Sequence, residues 1–292
     1  MLGVIGIYVF IVLGFLAKKQ FKIDGKTLVI LSTYYLQPFL TLWGIMLMPI
    51  NKNLILAPIY YLIAVFVALI FTFLISLTLK DKKDRIIATL TPLIGNTGNL
   101  GIPISYFFWG DFGAMIATLI NLANIFFIYS FGIFFFAKGE YSFKEAFKKI
   151  IKIPVMWFGI LALILNIKGI HFSNDVMKIL QMGAFASIVT QLIIFGVYIA
   201  EIKIKADDKA LVFITILNKF IIFTFVGFLI LKFLGVENRY LWPILLEIST
   251  PLAISNVNLA ALFNLYPQKV SFLVLITSVI FLILLLIKTL LL

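Results

Sequence analysis

Apolar runs of membrane-spanning length fill this chain, separated by short polar connections, and runs of about 17 to 25 residues are the length a helix needs to cross a bilayer. Ten can be marked, over 2–17, 27–48, 54–79, 86–109, 112–137, 153–167, 176–200, 210–234, 240–266 and 270–291. Two of them are out of pattern. The fourth holds Thr91-Pro92-Leu93-Ile94-Gly95-Asn96-Thr97-Gly98-Asn99-Leu100-Gly101-Ile102-Pro103, with three glycines, two asparagines and two prolines. Interior Gly costs about 1 kcal/mol against Ala and interior Pro about 3, and in hydrocarbon every freed peptide group needs another partner. A helix break that lines something polar is the expectation.

The ninth run repeats the design in Thr250-Pro251-Leu252-Ala253-Ile254-Ser255-Asn256-Val257-Asn258-Leu259. Paired interrupted segments at corresponding places of two halves point to the binding site of an inverted-repeat transporter. Five spans per half is an odd number, so the second half enters the membrane upside down relative to the first. Helical rise of about 1.5 Å per residue puts Asn96 roughly 17 Å from Arg85 and Pro251 roughly 18 Å from Arg239, near the middle of an approximately 30 Å core. The fold expected is an all-α polytopic membrane protein with ten transmembrane helices. They form two inverted five-helix repeats, 1–137 and 153–292, with spans four and nine broken and crossing.

Composition narrows the class. At 63% hydrophobic and 12% charged, the chain falls well short of the roughly 25% charged residues of soluble domains. The basic excess of 24 Lys and Arg over 12 Asp and Glu sits in short clusters between spans, which reads as topology and not as nucleic-acid binding. Seventeen basic residues fall in the loops after odd-numbered spans and six on the other side, with Lys219 inside span eight. That bias puts the odd loops in the cytoplasm and both termini outside, in a multi-pass protein of the cytoplasmic membrane. The first run lacks a basic leader and a cleavage site, so it reads as a retained helix. No cysteine is present, which excludes disulfides, thiolate catalysis and Cys-held metal. Residues 138–152, with Ser142 and Glu145 at capping-box spacing, read as an amphipathic cytoplasmic linker lying on the headgroups. Trp43, Trp109, Trp157 and Trp242 take aromatic-belt positions near span ends.

The chemistry follows from the breaks. Gly95, Gly98 and Gly101 would form a bare stripe for close packing if the helix continued. Pro92 and Pro103 bracket them, and unwinding is the favoured reading. Asn96, Thr97 and Asn99, with the N-terminus of a half-helix beginning near Pro103, suit a carboxylate. Ser255, Asn256 and Asn258 complete an anion site opposite. Thr250, Ser255 and Asn256 also suit Na⁺, and asparagine bonding between the two breaks is the alternative. Glu247 and Lys219 are the charges placed inside the membrane, either as a proton-coupling pair or as a structural ion pair, with Lys219 snorkelling as a third reading. Asp111 and His171 read as solvated, and Asp81-Lys82-Lys83-Asp84 as a hydrated cytoplasmic turn. No nucleophile–base set, paired carboxylates or phosphate loop appears in the spans, so the chain does not read as an enzyme and implies no cofactor, leaving H⁺ or Na⁺ coupling open.

Asn96-Thr97-Gly98-Asn99-Leu100-Gly101-Ile102-Pro103 resembles the Asn-Thr-Gly-x-x-Gly-x-Pro signature of the auxin efflux carrier family, within the bile acid/auxin transporter superfamily. That family includes plant PIN-type carriers and microbial organic-acid permeases. Pro38 in span two, Lys219-Phe220 in span eight and Pro251 extend the likeness over the whole chain. The resemblance implies spans one, two, six and seven as a scaffold, spans three to five and eight to ten as a moving domain, and elevator transport around the crossed breaks. It implies Asn96 beside the substrate carboxylate and Pro251 at the opposite crossover. Gln191, Thr224 and Asn99 depart from the family pattern and make the pocket more polar than in an auxin-type carrier. The partners expected are a small organic anion and the bilayer, with a homodimer left open. A Na⁺-coupled anion symporter and a non-transporting sensor or channel on the same scaffold are the rival functions.

Overall fold

A computed structural model describes residues 2–136, 154–201 and 208–290. The linker expected over 138–152 lies outside the described residues. The fold is 86% helix, with no strand among the described residues. In chain order the helices are α1 (Leu2–Phe21), α2 (Gly25–Met46), α3 (Lys52–Ser76), α4 (Lys82–Leu90), α5 (97–109), α6 (111–136), α7 (Pro154–Ile167), α8 (Asn174–Glu201), α9 (Lys209–Phe233), α10 (Asn238–Ser249), α11 (Ser255–Leu262) and α12 (Pro267–Leu290). Among the described residues, six helical stretches are long and apolar enough to cross a membrane: α2, α3, the run Thr97–Phe136, α8, α9 and Pro267–Ile287 within α12. The fourth and ninth predicted spans are each two shorter helices, α4 with α5 and α10 with α11.

Large apolar side chains cover the outside, as a hydrocarbon solvent demands, and a set of polar side chains is buried within the apolar core. Phe233 is 90% exposed and Met182 74%, while Asn96, Thr97, Asn124, Asn218, Lys219 and Glu247 are buried. Helix α1 packs on α8 through glycines: a Cβ on Gly14 would lie 2.1 Å from the Ile193 carbonyl, and one on Gly196 would lie 1.9 Å from that of Ile11. Small residues let backbones approach where lipid offers no hydrophobic drive. At the other face of α2, the Asn166 amide of α7 donates to the Ile45 and Met48 carbonyls and accepts from the Ile50 N–H. With Gly183 of α8 against the Phe39 ring of α2 and Phe185 of α8 against Trp43, these contacts join α1, α2, α7 and α8 into one packed group.

Helices α3, α4, α6, α9, α10 and α12 gather around the two breaks. Trp43 is buried against Tyr106 and Phe185 and does not take the belt position expected of it, whereas Trp157 and Trp242 are about half exposed. Between α5 and α6 the chain turns at Gly110, whose φ of 56° with ψ of −143° is a combination that glycine adopts without strain. Wide π-turns interrupt α2 at Leu31–Leu36, α6 at Ile128–Gly132 and α9 at Leu217–Phe223, and π-turns also form the first turn of α5 at Thr97–Gly101. Such turns are frequent at functional sites. The one in α9 carries Asn218 and Lys219.

The acidic turn at the start of α4 differs from expectation. Asp84 is buried, and its carboxylate receives the Lys269 ammonium of α12 at 2.8 Å, with Asp208 at the start of α9 3.2 Å from the same ammonium. Proximity of a lysine 185 residues away keeps this carboxylate out of water, a relation local spacing does not carry. Asp81 caps α4 through the Asp84 N–H, and Asp111 and His171 are exposed as expected.

Candidate site at the helix crossover

The two breaks meet. Helix α4 runs through a tight turn, Thr91–Leu93, and Ile94 leaves helical geometry with φ −102° and ψ 86°. On the other side α10 ends at Ser249 and the chain is non-helical until Ser255. Gly95 and Leu252 form an antiparallel bridge, in which the Asn96 N–H donates to the Pro251 carbonyl (2.8 Å) and the Ala253 N–H to the Ile94 carbonyl (3.0 Å). Pro92 and Pro251 sit where each helix stops. Gly95 is needed because a Cβ there would lie 2.6 Å from the Thr250 hydroxyl.

The freed peptide groups find partners, as they must away from water. Asn124 of α6 donates to the Gly95 carbonyl (2.8 Å) and to the Thr97 hydroxyl (3.0 Å), and its own oxygen accepts from Tyr61. Thr97 donates to Asn121. Asn256 donates to the carbonyls of Ile94 and Ala253, both at 3.0 Å, and of Thr91 at 3.5 Å. Thr250 donates to the Glu247 carbonyl. Asn256 thus bonds from one break to the backbone of the other, whereas Thr250 caps the end of its own helix, α10.

What remains faces a cavity of about 210 Å³, lined by Thr33, Tyr34 and Gln37 of α2, Gly95, Asn96, Gly98 and Asn99, Asn121, Asn124 and Tyr129 of α6, and Ala253, Ile254 and Ser255. Asn96 is buried with its side-chain Nδ2 unpartnered. Among the described residues, no lining side chain is charged. Two half-helices begin here, α5 at Thr97 and α11 at Ser255, and a helix N-terminus carries unpaired N–H groups and about half a positive charge.

Several expectations are corrected. The α-helical stretch begins at Ile102 with Pro103 in its first turn, near the position expected, but a widened π-turn over Thr97–Gly101 that accommodates Gly98 and Gly101 precedes it, so α5 as a whole starts at Thr97. Unwinding is confined to three residues. The glycines serve both readings, since a Cβ on Gly101 would meet the Glu247 carboxylate at 2.0 Å and one on Gly98 would meet Asn121 at 3.0 Å. Asn258 is exposed and does not line the cavity. Lys219 and Glu247 do not pair within 4.0 Å, nor does Lys219 snorkel: Glu247 accepts from Ser105 at 2.7 Å with its Oε2 unpartnered, and the Lys219 ammonium donates to the Pro92 and Ile248 carbonyls, both at 2.9 Å.

Gln37, Asn121, Asn124, Tyr34 and Tyr129 are lining residues that sequence reasoning missed. Asn121 and Asn124 carried a usable signal, being three apart on one face of an apolar helix.

A family model described as membrane transport protein matches residues 1–289. The chain belongs to that family, the auxin efflux carrier and membrane transport family. No curated protein matches the chain. Membership in that family marks the chain as a membrane transport protein.

Proposed function

We propose that this protein is a secondary carrier that moves a small carboxylate across the cytoplasmic membrane, binding it in the crossover cavity. The observation that carries this reading is the convergence of two half-helix N-termini, at Thr97 and Ser255, on an amide-walled cavity with no charged lining side chain. Helix N-termini stabilise anions through their free N–H groups and dipole. Asn96, with its unpartnered amide, together with Asn99 and Ser255, contacts the carboxylate, and Gln37 and Tyr34 approach from α2.

The proposed topology is ten crossings as two inverted repeats, with both termini outside. The packed group α1, α2, α7 and α8 is the scaffold, and the group carrying the crossover shifts against it. Because the cavity takes walls from both groups, such a shift would carry its contents between the two membrane faces. Counterflow in proteoliposomes tests this with a panel of acetate, lactate, malonate and succinate. Saturable uptake accelerated by internal substrate supports the carrier. Unsaturable flux would indicate a channel, and no flux with any of the four would indicate a sensor.

A further inference from the structure

Lys219 is fully buried, brought to the crossover by the π-turn in α9. Its ammonium donates to the carbonyls of Pro92 and Ile248, each at 2.9 Å, and lies 4.8 Å from the centre of the Phe223 ring. Those two carbonyls belong to the final turns of the two half-helices that end at the crossover, the extension of α4 and α10. Each such end carries orphan C=O groups and about half a negative charge. In carriers with broken helices, free carbonyls and C-terminal half-helix ends of this kind are what a coupling cation binds.

The same ammonium stands directly behind the cavity. A Cβ on Gly95 would lie 3.4 Å from Nζ, and Gly95 lines the cavity. With no side chain at that position, the crossover backbone and the Thr250 hydroxyl separate the charge from the bound solute. A buried ammonium costs several kcal/mol in desolvation, offset here by two helix ends and an aromatic face.

We propose that Lys219 is a built-in cation of the crossover. It neutralises the two helix C-termini in place of Na⁺ and supplies, through Gly95, the positive charge that the cavity lining lacks. This inference rests on the carboxylate reading above and deepens it: the carrier takes its anion without Na⁺, and Lys219 sets its preference for charged over neutral solutes.

The test uses purified full-length protein in proteoliposomes, with acetate, lactate, malonate and succinate as probes, in Na⁺ medium and in choline medium. Wild-type uptake is expected to be the same in both. Lys219→Met is expected to raise the half-saturation constant for the transported carboxylate by about tenfold or more, a loss of about 1.4 kcal/mol, with Lys219→Arg recovering most of it. In Lys219→Ala the vacated carbonyls should accept a small cation, so uptake should become stimulated by Na⁺. A merely structural lysine would not create cation dependence. Should the variants fail to fold, the wild-type comparison still decides: uptake that requires Na⁺ overturns the proposal while leaving the carboxylate site intact. Unchanged half-saturation in Lys219→Met also overturns it. No uptake of any probe in either medium would overturn the site itself.

Discussion

The Asn96 N–H donates to the Pro251 carbonyl across 2.8 Å, joining residues 155 positions apart at the one place where both broken helices are non-helical. This bond and its partner from Ala253 to Ile94 let two helices stop inside an apolar body without leaving those peptide groups bare. The helix ends created by the breaks then separate by sign. Two N-termini face the cavity, and two C-termini face Lys219.

Asn256 and Asn258 lie two apart in sequence and differ in role. Asn256→Ala removes donors to three crossover carbonyls and is expected to destabilise the protein by about 1–3 kcal/mol. Asn258→Ala, at an exposed position, should change stability by less than about 0.5 kcal/mol. Thermal unfolding of the two variants in detergent checks this, and equal melting temperatures would contradict the assignment.

Gly101 is small because the Glu247 carboxylate occupies the space beside it. Gly101→Ala is expected to cost about 1–3 kcal/mol through overpacking. In an Glu247→Ala background the same change should cost markedly less, a coupling that a double-mutant cycle resolves. Additive effects would mean the two residues do not meet.

At the start of α4, Asp84 is buried and paired with Lys269, while Asp175 and Lys178 form an ion pair that is largely exposed. Removing Asp84 leaves Lys269 with Asp208 alone, 3.2 Å away, and exposed pairs contribute about 0–1 kcal/mol. With Lys269 about a third exposed, Asp84→Asn is expected to cost about 1–3 kcal/mol and Asp175→Asn close to nothing. Denaturation of the two variants side by side measures the difference.

The chain has no cysteine, so Ser255→Cys places a single thiol on the cavity wall. A thiol reagent should label it in proteoliposomes, and the transported carboxylate should slow the labelling in proportion to its occupancy. Labelling unaffected by saturating substrate would place the solute elsewhere.

Much of this site was legible because interruptions are conspicuous: prolines and glycines inside an apolar run have no other economical explanation, and Thr91 to Pro103 announced a break. Where it fell was less legible. The break is only Ile94 to Asn96, because Gly98 and Gly101 were accommodated in a widened helical turn, and sequence does not distinguish that from unwinding. Asn121 and Asn124 were overlooked because a single amide leaves an apolar helix uninterrupted. Glu247 and Lys219 are buried, yet their partners, Ser105 and the carbonyls of Pro92 and Ile248, depend on how helices cross. Asp84 reads as solvated from its neighbours Asp81, Lys82 and Lys83, and only folding brings Lys269 to it.

The central claim is that a carboxylate sits at the crossover against the Asn96 amide. Its most direct test is the concentration dependence of counterflow by wild type and Asn96→Ala, using whichever of acetate, lactate, malonate or succinate the wild type transports. Losing one hydrogen bond to a charged group costs about 1.5–3 kcal/mol, so the half-saturation constant should rise roughly 10- to 150-fold, with the melting temperature little changed. A folded Asn96→Ala protein with wild-type half-saturation would contradict the account.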